Sequence, residues 1–272
     1  LHRRRHSFPT RRSSDLLLFH SIVRTPLDLQ AASHLIMAGL ILGISSIGLS
    51  YAIPKLPFLR QHVEPRLHAA SAQVAFRFNS FIALALAERI AGPQALLLIA
   101  VLIGVCVPLF NVAAVWPMAR HAQRSFGREL IRNPLILATG IGLLANVAGL
   151  QIPKWMDPTL QRIGAASLAL GLMAAGAGMQ FGHLLKAKVL AVSLLAIRHL
   201  LTPIIAWALA LYFELDSTQT SVLLAFSALP TASSCYVLAA RMGYNGAFVA
   251  GLVTLSTLLG ILSLPFALGV LR

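Results

Sequence analysis

"LPTASSCYVLAARMG", residues 229–243, aligns without a gap with "FNSFIALALAERIAG", residues 78–92. Each leads into an uncharged apolar stretch that begins near an alanine, Ala247 and Ala95 respectively. "ALLLIAVLIGVCVPLFNVAAVW" (95–116) has no charge over 22 positions, and "AFVAGLVTLSTLLGILSLPFALGVL" (247–271) has none over 25. About 20 such residues at helical rise cross the hydrocarbon core of a bilayer. The two similar segments therefore lie within a polytopic, all-α membrane protein, and their relative orientation decides the fold.

Working outward from them, hydropathy and chain breakers predict spans over 32–53, 72–91, 94–118, 133–151, 160–181, 189–213, 219–240 and 247–271. Pro54, Pro57, the Gly92-Pro93 pair, Pro153, Pro158 and Gly243 punctuate the connections. Loop charge tests this count. One alternate set of loops holds Lys55, Arg60, Arg66, Arg120, Arg124, Arg128, Arg132, Lys186, Lys188 and Arg241. The other holds only Arg89, Lys154 and Arg162 as bases, with Glu214 and Asp216 in its last loop. That asymmetry alternates without a break, which places the first set in the cytoplasm and the C-terminus outside. Under this count the two similar segments lie five spans apart and enter the membrane from opposite sides. An inverted-topology repeat follows, with halves over 17–118 and 133–272 joined by a cytoplasmic linker at 119–132.

Composition agrees. The 272 residues are 57% hydrophobic and only 11% charged, with a mean hydropathy of +0.79. The net charge of +14 would suggest nucleic acid in a soluble protein, but here the bases sit in short loops as the positive-inside rule requires. Cys106 and Cys235 fall inside apolar segments with no metal-site or disulfide spacing, and read as small core residues. Metal and cofactor sites are not expected.

Five-helix halves imply ten helices, whereas eight spans and a short apolar remnant, "LLLFHSIV" (16–23), are visible. The first helix and part of the second are thus expected to be missing. "HSFPTRRSSDL" (6–16) has neither the apolar region of a secretory signal nor an intact span beside it. Written back as codons, it matches a widely used sequencing-library adapter read in frame. Residues 1–16 are therefore expected to be an adapter-derived artefact. Removing their five arginines and one aspartate lowers the net charge from +14 to +10.

Inverted repeats with interrupted helices bind substrate where the breaks free backbone groups at mid-depth. Pro230, in "FSALPTASSCYVLA", removes an amide donor and clashes with the carbonyl four residues back. Thr231, Ser233 and Ser234 follow with hydroxyls for a ligand, although such residues also re-satisfy the backbone around a kinking proline. Asn79, followed by Ser80, aligns with Pro230 in the other copy. Its amide suits a carboxylate, or a structural bond between helices. Arg77 reads either as an inner-edge snorkelling charge or as an anion contact. Arg198 lies ten residues from the basic loop, about 15 Å deep at helical rise. A charge at that depth faces a cavity or a partner, and no acid is available at matching depth in the spans, Glu88 lying near the opposite edge. It therefore points to an anionic ligand, or else to carbonyls freed by Pro203. His199 beside it is a candidate proton carrier or a packed side chain.

An enzyme is not expected: HExxH is absent, no span contains an aspartate, and no GxSx motif surrounds Ser233 or Ser234. A channel remains a weaker alternative.

From residue 16 to the C-terminus the chain resembles the auxin efflux carrier family of bacterial permeases. "FRFNSFIALALAE" (76–88), "VPLFNVAAV" (107–115), "RNPLILATGIGLL" (132–144), "ALPTASSCYVLAARMG" (228–243) and "STLLGILSLP" (256–265) carry the resemblance. It implies a ten-helix fold of two inverted five-helix repeats. Two broken helices, here 72–91 and 219–240, would cross, with Asn79, Pro230 and the hydroxyls after Pro230 at the crossing. It also implies alternating-access transport of organic anions, auxin in plants and dicarboxylates such as malate or malonate in bacteria, across the inner membrane. A coupling proton or sodium ion and a homodimeric partner belong to the same expectation. The plant carriers have proline at both crossings, whereas this chain has Asn79 at one. Bile-acid and sodium symporters share the architecture, but their acidic sodium-site residues are not evident here.

Overall fold

A computed structural model describes residues 33–121 and 187–271, with isolated residues between 137 and 166. The expected spans 133–151 and 160–181 lie largely outside the described residues, as do the linker beyond His121 and the N-terminal segment 1–16. Every named element among the described residues is helical.

In chain order these are α1 (Ser33–Ala52), continued by a 3-10 turn to Lys55, the single turn α2 (Pro57–Arg60), and α3 (Pro65–Ser71), continued by a 3-10 turn, Ala72–Ala75. Next comes α4 (Ser80–His121), and after the linker α5 (Lys188–Ala196), a π-helical turn (Ile197–Leu201) and α6 (Thr202–Tyr212). Then follow α7 (Ser217–Ala228), α8 (Ser234–Arg241) and α9 (Gly246–Gly269).

Four stretches are long and apolar enough to cross a membrane: Ser33–Lys55, Gln94–Arg120, Lys188–Tyr212 and Gly246–Gly269. These match four expected spans within a few residues. The chain is a multi-pass, all-α membrane protein.

The other two described spans are broken, and the sequence explains how. Asp216 caps α7, its carboxylate accepting from the amides of Thr218 (2.8 Å) and Gln219 (2.9 Å). The helix stops at Ala228 because Pro230 forces Leu229 extended, at φ −57° and ψ 145°. The chain resumes helical geometry at Ser234, and Gly243, at φ +81°, follows the end of α8.

The first broken segment begins earlier than expected. Its leading half is α3 with the 3-10 turn, Pro65–Ala75, rather than a helix starting at 72. Arg66, His68 and Gln73 depress the hydropathy there, although Ala69, Ala70, Val74 and Ala75 are all buried. The trailing half is the start of α4. Helical assignment continues to His121, 42 residues, yet Gly92 adopts φ +62°. A left-handed residue bends the path, and the membrane-crossing part starts just beyond, at Gln94.

α7 lies at the centre. Every residue from Ser221 to Ala228 is buried, against α4, α6, α9 and α1. α1 meets α4 through Gly39 and Gly43, spaced as small-xxx-small so that side chains of the neighbouring helix approach the backbone. A Cβ at Gly43 would lie 2.8 Å from Cε1 of Phe110. The outer faces carry Val192, Leu211, Ile261 and Leu262, each more than 60% exposed. A patch of that kind is a liability in water and costs nothing against lipid tails.

Candidate functional site

The breaks meet. Phe78 and Thr231 form an antiparallel bridge; the amide of Asn79 donates to the Pro230 carbonyl (2.9 Å) and that of Ala232 to the Arg77 carbonyl (3.4 Å). Two interrupted segments therefore cross through extended backbone, each using some of the polar groups that the other leaves unpaired. On either side of the crossing one half-helix ends and another begins. The N-termini of α4 and α8, at Ser80 and Ser234, start within three residues of the bridge, where helix dipoles favour negative charge. Below it the Phe78 ring packs on Phe226 (4.5 Å between centroids) and on Phe110 (6.0 Å).

Asn79 breaks the first segment without a proline. Its Oδ1 accepts from the Ile82 amide (3.3 Å), an N-cap on α4. Ser80, Ser233 and Ser234 are half-buried. Pro230 and Thr231 are buried, and the Thr231 hydroxyl donates to the Val74 carbonyl (2.8 Å) of the opposite segment.

Arg198 projects from the π-helical turn and is only 3% exposed. Its Nε donates to the Leu229 carbonyl (2.8 Å) and its Nη2 to the Phe226 carbonyl (3.2 Å). Phe226 lies four residues before Pro230, so its carbonyl is the one that the missing proline amide leaves without a helical partner. The guanidinium supplies that donor. The freed carbonyls it serves are thus those of Pro230, not those near Pro203; the Arg198 carbonyl itself accepts from the Thr202 hydroxyl (2.6 Å). Nη1 of Arg198 carries no bond among the described residues.

Arg77, also buried at 5% exposure, stands beside the bridge. Its Nη1 donates to Oε1 of Gln73 (2.8 Å) and its Nη2 to the Ser234 hydroxyl (2.8 Å). Gln73 in turn donates through Nε2 to the carbonyls of Ala70 and Cys235. Among the described residues neither buried guanidinium meets a carboxylate, and the hydrogen-bond partners of both are carbonyl, amide and hydroxyl dipoles.

His199 adjoins the same structure from the side. Its Nε2 lies 2.8 Å from the Ser256 hydroxyl and its Nδ1 2.9 Å from the Ser263 hydroxyl. Sequence reasoning passed over these two serines and Gln73. Ser256, Gly260 and Ser263 recur at i, i+4 and i+7 of α9, the signature of one helical face, and that face meets the crossing: a Cβ on Gly260 would lie 2.7 Å from Cγ of Pro230.

The sequence model of the family described as "Membrane transport protein" matches residues 25–268 of this chain. That interval contains both broken segments, Arg77, Arg198, His199 and all of α9 to Leu268. No curated protein sequence matches the chain.

Proposed function

Because the chain belongs to the membrane transport protein family, a transport and not an enzyme family, we propose that it is a secondary carrier of small organic anions. The bacterial inner membrane is its place, the C-terminus faces outward, and dicarboxylates such as malate are its substrate class. The observation that carries this reading is the bridge between Phe78 and Thr231, flanked by two helix N-termini and by two buried arginines that meet no carboxylate among the described residues. Buried charge is costly unless paired. An anion at the crossing supplies the missing partner, and its departure restores the cost, so binding and release draw on the same electrostatic term.

In this reading the half-buried hydroxyls of Ser80, Ser233 and Ser234 and the amide of Asn79 receive the carboxylate. Pro230 and Thr231 shape the extended backbone, and Arg198 faces the anion through Nη1 while holding the broken α7 in place. Alternating access moves one bundle of an inverted five-helix pair against the other around this crossing.

Proteoliposomes loaded with unlabelled malate test it. Labelled malate should enter by counterflow and saturate, and Arg198→Ala should abolish uptake while inserting normally into the membrane. Wild-type uptake in that variant would remove Arg198 from the site. Conductance without saturation would make the protein a channel, and a sodium requirement would identify sodium as the coupling ion.

A further inference from the structure

The hydrogens around His199 can be counted. Thr231 Oγ1 can only donate to the Val74 carbonyl (2.8 Å), so its contact with Ser256 (2.9 Å) uses the Ser256 proton. Ser256 Oγ already accepts from the Thr231 amide (2.9 Å) and, with its own proton committed, must accept from Nε2–H of His199 (2.8 Å). On the other side Ser263 can only donate to the Ala228 carbonyl (3.1 Å), which leaves its oxygen as acceptor for Nδ1–H (2.9 Å). These five contacts among three hydroxyls, two carbonyls and one ring need five hydrogens. The hydroxyls supply three, a neutral imidazole supplies one, and an imidazolium supplies two. The network closes only with a proton on both ring nitrogens.

We propose that His199 is the binding site of a transported proton, and that its occupancy is transmitted to the crossing through Ser263 and Ser256. The proposal rests on the anion-carrier reading and assigns its coupling ion. With the ring neutral, Nδ1 accepts from the Ser263 hydroxyl, and the Ala228 carbonyl at the end of α7 loses its donor. When a proton adds to the Nδ1 lone pair, the Ser263 hydroxyl turns to the Ala228 carbonyl, and no other bond is made or broken. Ala228 lies two residues from Pro230, and Gly260, one turn from both serines, packs against the Pro230 ring. Protonation therefore changes the hydrogen bonding of the broken helix at the place where substrate is bound.

Charge supplies the coupling. Among the described residues the titratable group beside the ring is Arg198 on the same turn, with Arg77 and Cys235 across the crossing; α7 and α9 contribute no titratable side chain. On α1, His34 packs on Phe213, and the Tyr51 hydroxyl donates to the Ala113 carbonyl; Lys188 and Tyr212 stand at the far ends of α5 and α6. With two arginines already present, a third positive charge is opposed by repulsion when the crossing is empty, and is offset when an anion occupies it. Anion and proton then bind together and leave together.

Two measurements decide this. With malate in proteoliposomes at zero membrane potential, one proton per anion predicts accumulation of about tenfold per pH unit of inward-directed gradient. H199Q, which cannot take up a proton, should lose accumulation driven by the gradient relative to its own malate counterflow, and S263A should weaken that drive. Equal accumulation by H199Q and wild type would overturn the proposal. Separately, 15N shifts of the ring, assigned against H199Q, should pass from neutral to imidazolium as pH is lowered with malate bound. A ring that stays neutral throughout would overturn it without reference to transport. If wild type shows no malate counterflow, the carrier reading fails for this anion and the ring titration alone decides the proton site.

Discussion

Asn79 shows how a residue can be legible in type and obscure in mechanism. Its place opposite Pro230 was evident from the aligned segments, but an amide does not by itself reveal that it caps a helix. The two roles separate by substitution. Asn79→Asp keeps an Oδ1 for the Ile82 amide and adds a negative charge, so folding should be retained while malate affinity falls at least tenfold. Asn79→Ala removes the cap, costing about 1 kcal/mol of stability, and should also weaken binding. Calorimetry in detergent alongside saturation uptake checks both, and unchanged affinity in each variant would make Asn79 a cap alone. Gly260 gives the complementary steric case. A methyl there meets the rigid Pro230 ring at 2.7 Å, so Gly260→Ala should cost about 1–3 kcal/mol and slow uptake. Gly48→Ala, where a Cβ meets nothing within 4 Å, should leave both unchanged.

At the scale of elements, four continuous spans were readable because long apolar runs leave little ambiguity. The Pro230 break was readable because proline has no amide. The first break was harder to place, since no proline or glycine lies between Phe76 and Gly92. Its leading half was missed because Arg66, His68 and Gln73 look like loop residues until burial and tertiary bonds account for them. The π-helical turn carrying Arg198 and His199 also left no local signal; it is fixed by long-range bonds from both side chains. Such turns recur at functional sites. Element packing yields its own test at the α1–α4 seam. A Cβ at Gly43 presses on Phe110, whose ring packs against Phe76 (5.8 Å) and Phe78 (6.0 Å) at the crossing. Gly43→Leu should therefore lower thermal stability and malate uptake together, although Gly43 touches no candidate binding residue. Uptake that survives a large loss of stability would show that the seam and the crossing are uncoupled.

For the whole molecule, sidedness is the property that charge counting in the sequence addresses and local structure cannot. The fold nevertheless brings together the loops that the counting put on one side. Nη2 of Arg66 donates to the Gly243 carbonyl (3.2 Å) while its guanidinium stacks on Tyr244, and the Tyr244 hydroxyl donates to the Met118 carbonyl (2.6 Å). The chain around 66, 118–120 and 241–244 thus shares one end, and that end holds Arg66, Arg120 and Arg241. Acidic Glu214 and Asp216 occupy the connection between α6 and α7, which the alternating count assigns to the opposite side of the membrane. The native thiols Cys106 and Cys235 are both buried, so introduced cysteines can be read against a quiet background. In intact cells a membrane-impermeant maleimide should label Thr218→Cys and leave Arg120→Cys and Arg60→Cys unlabelled until the membrane is permeabilised. The reverse pattern would invert the molecule, placing the basic end outside. The Phe78–Thr231 crossing would be unaffected, but the direction in which a proton gradient drives the anion would have to be reassigned.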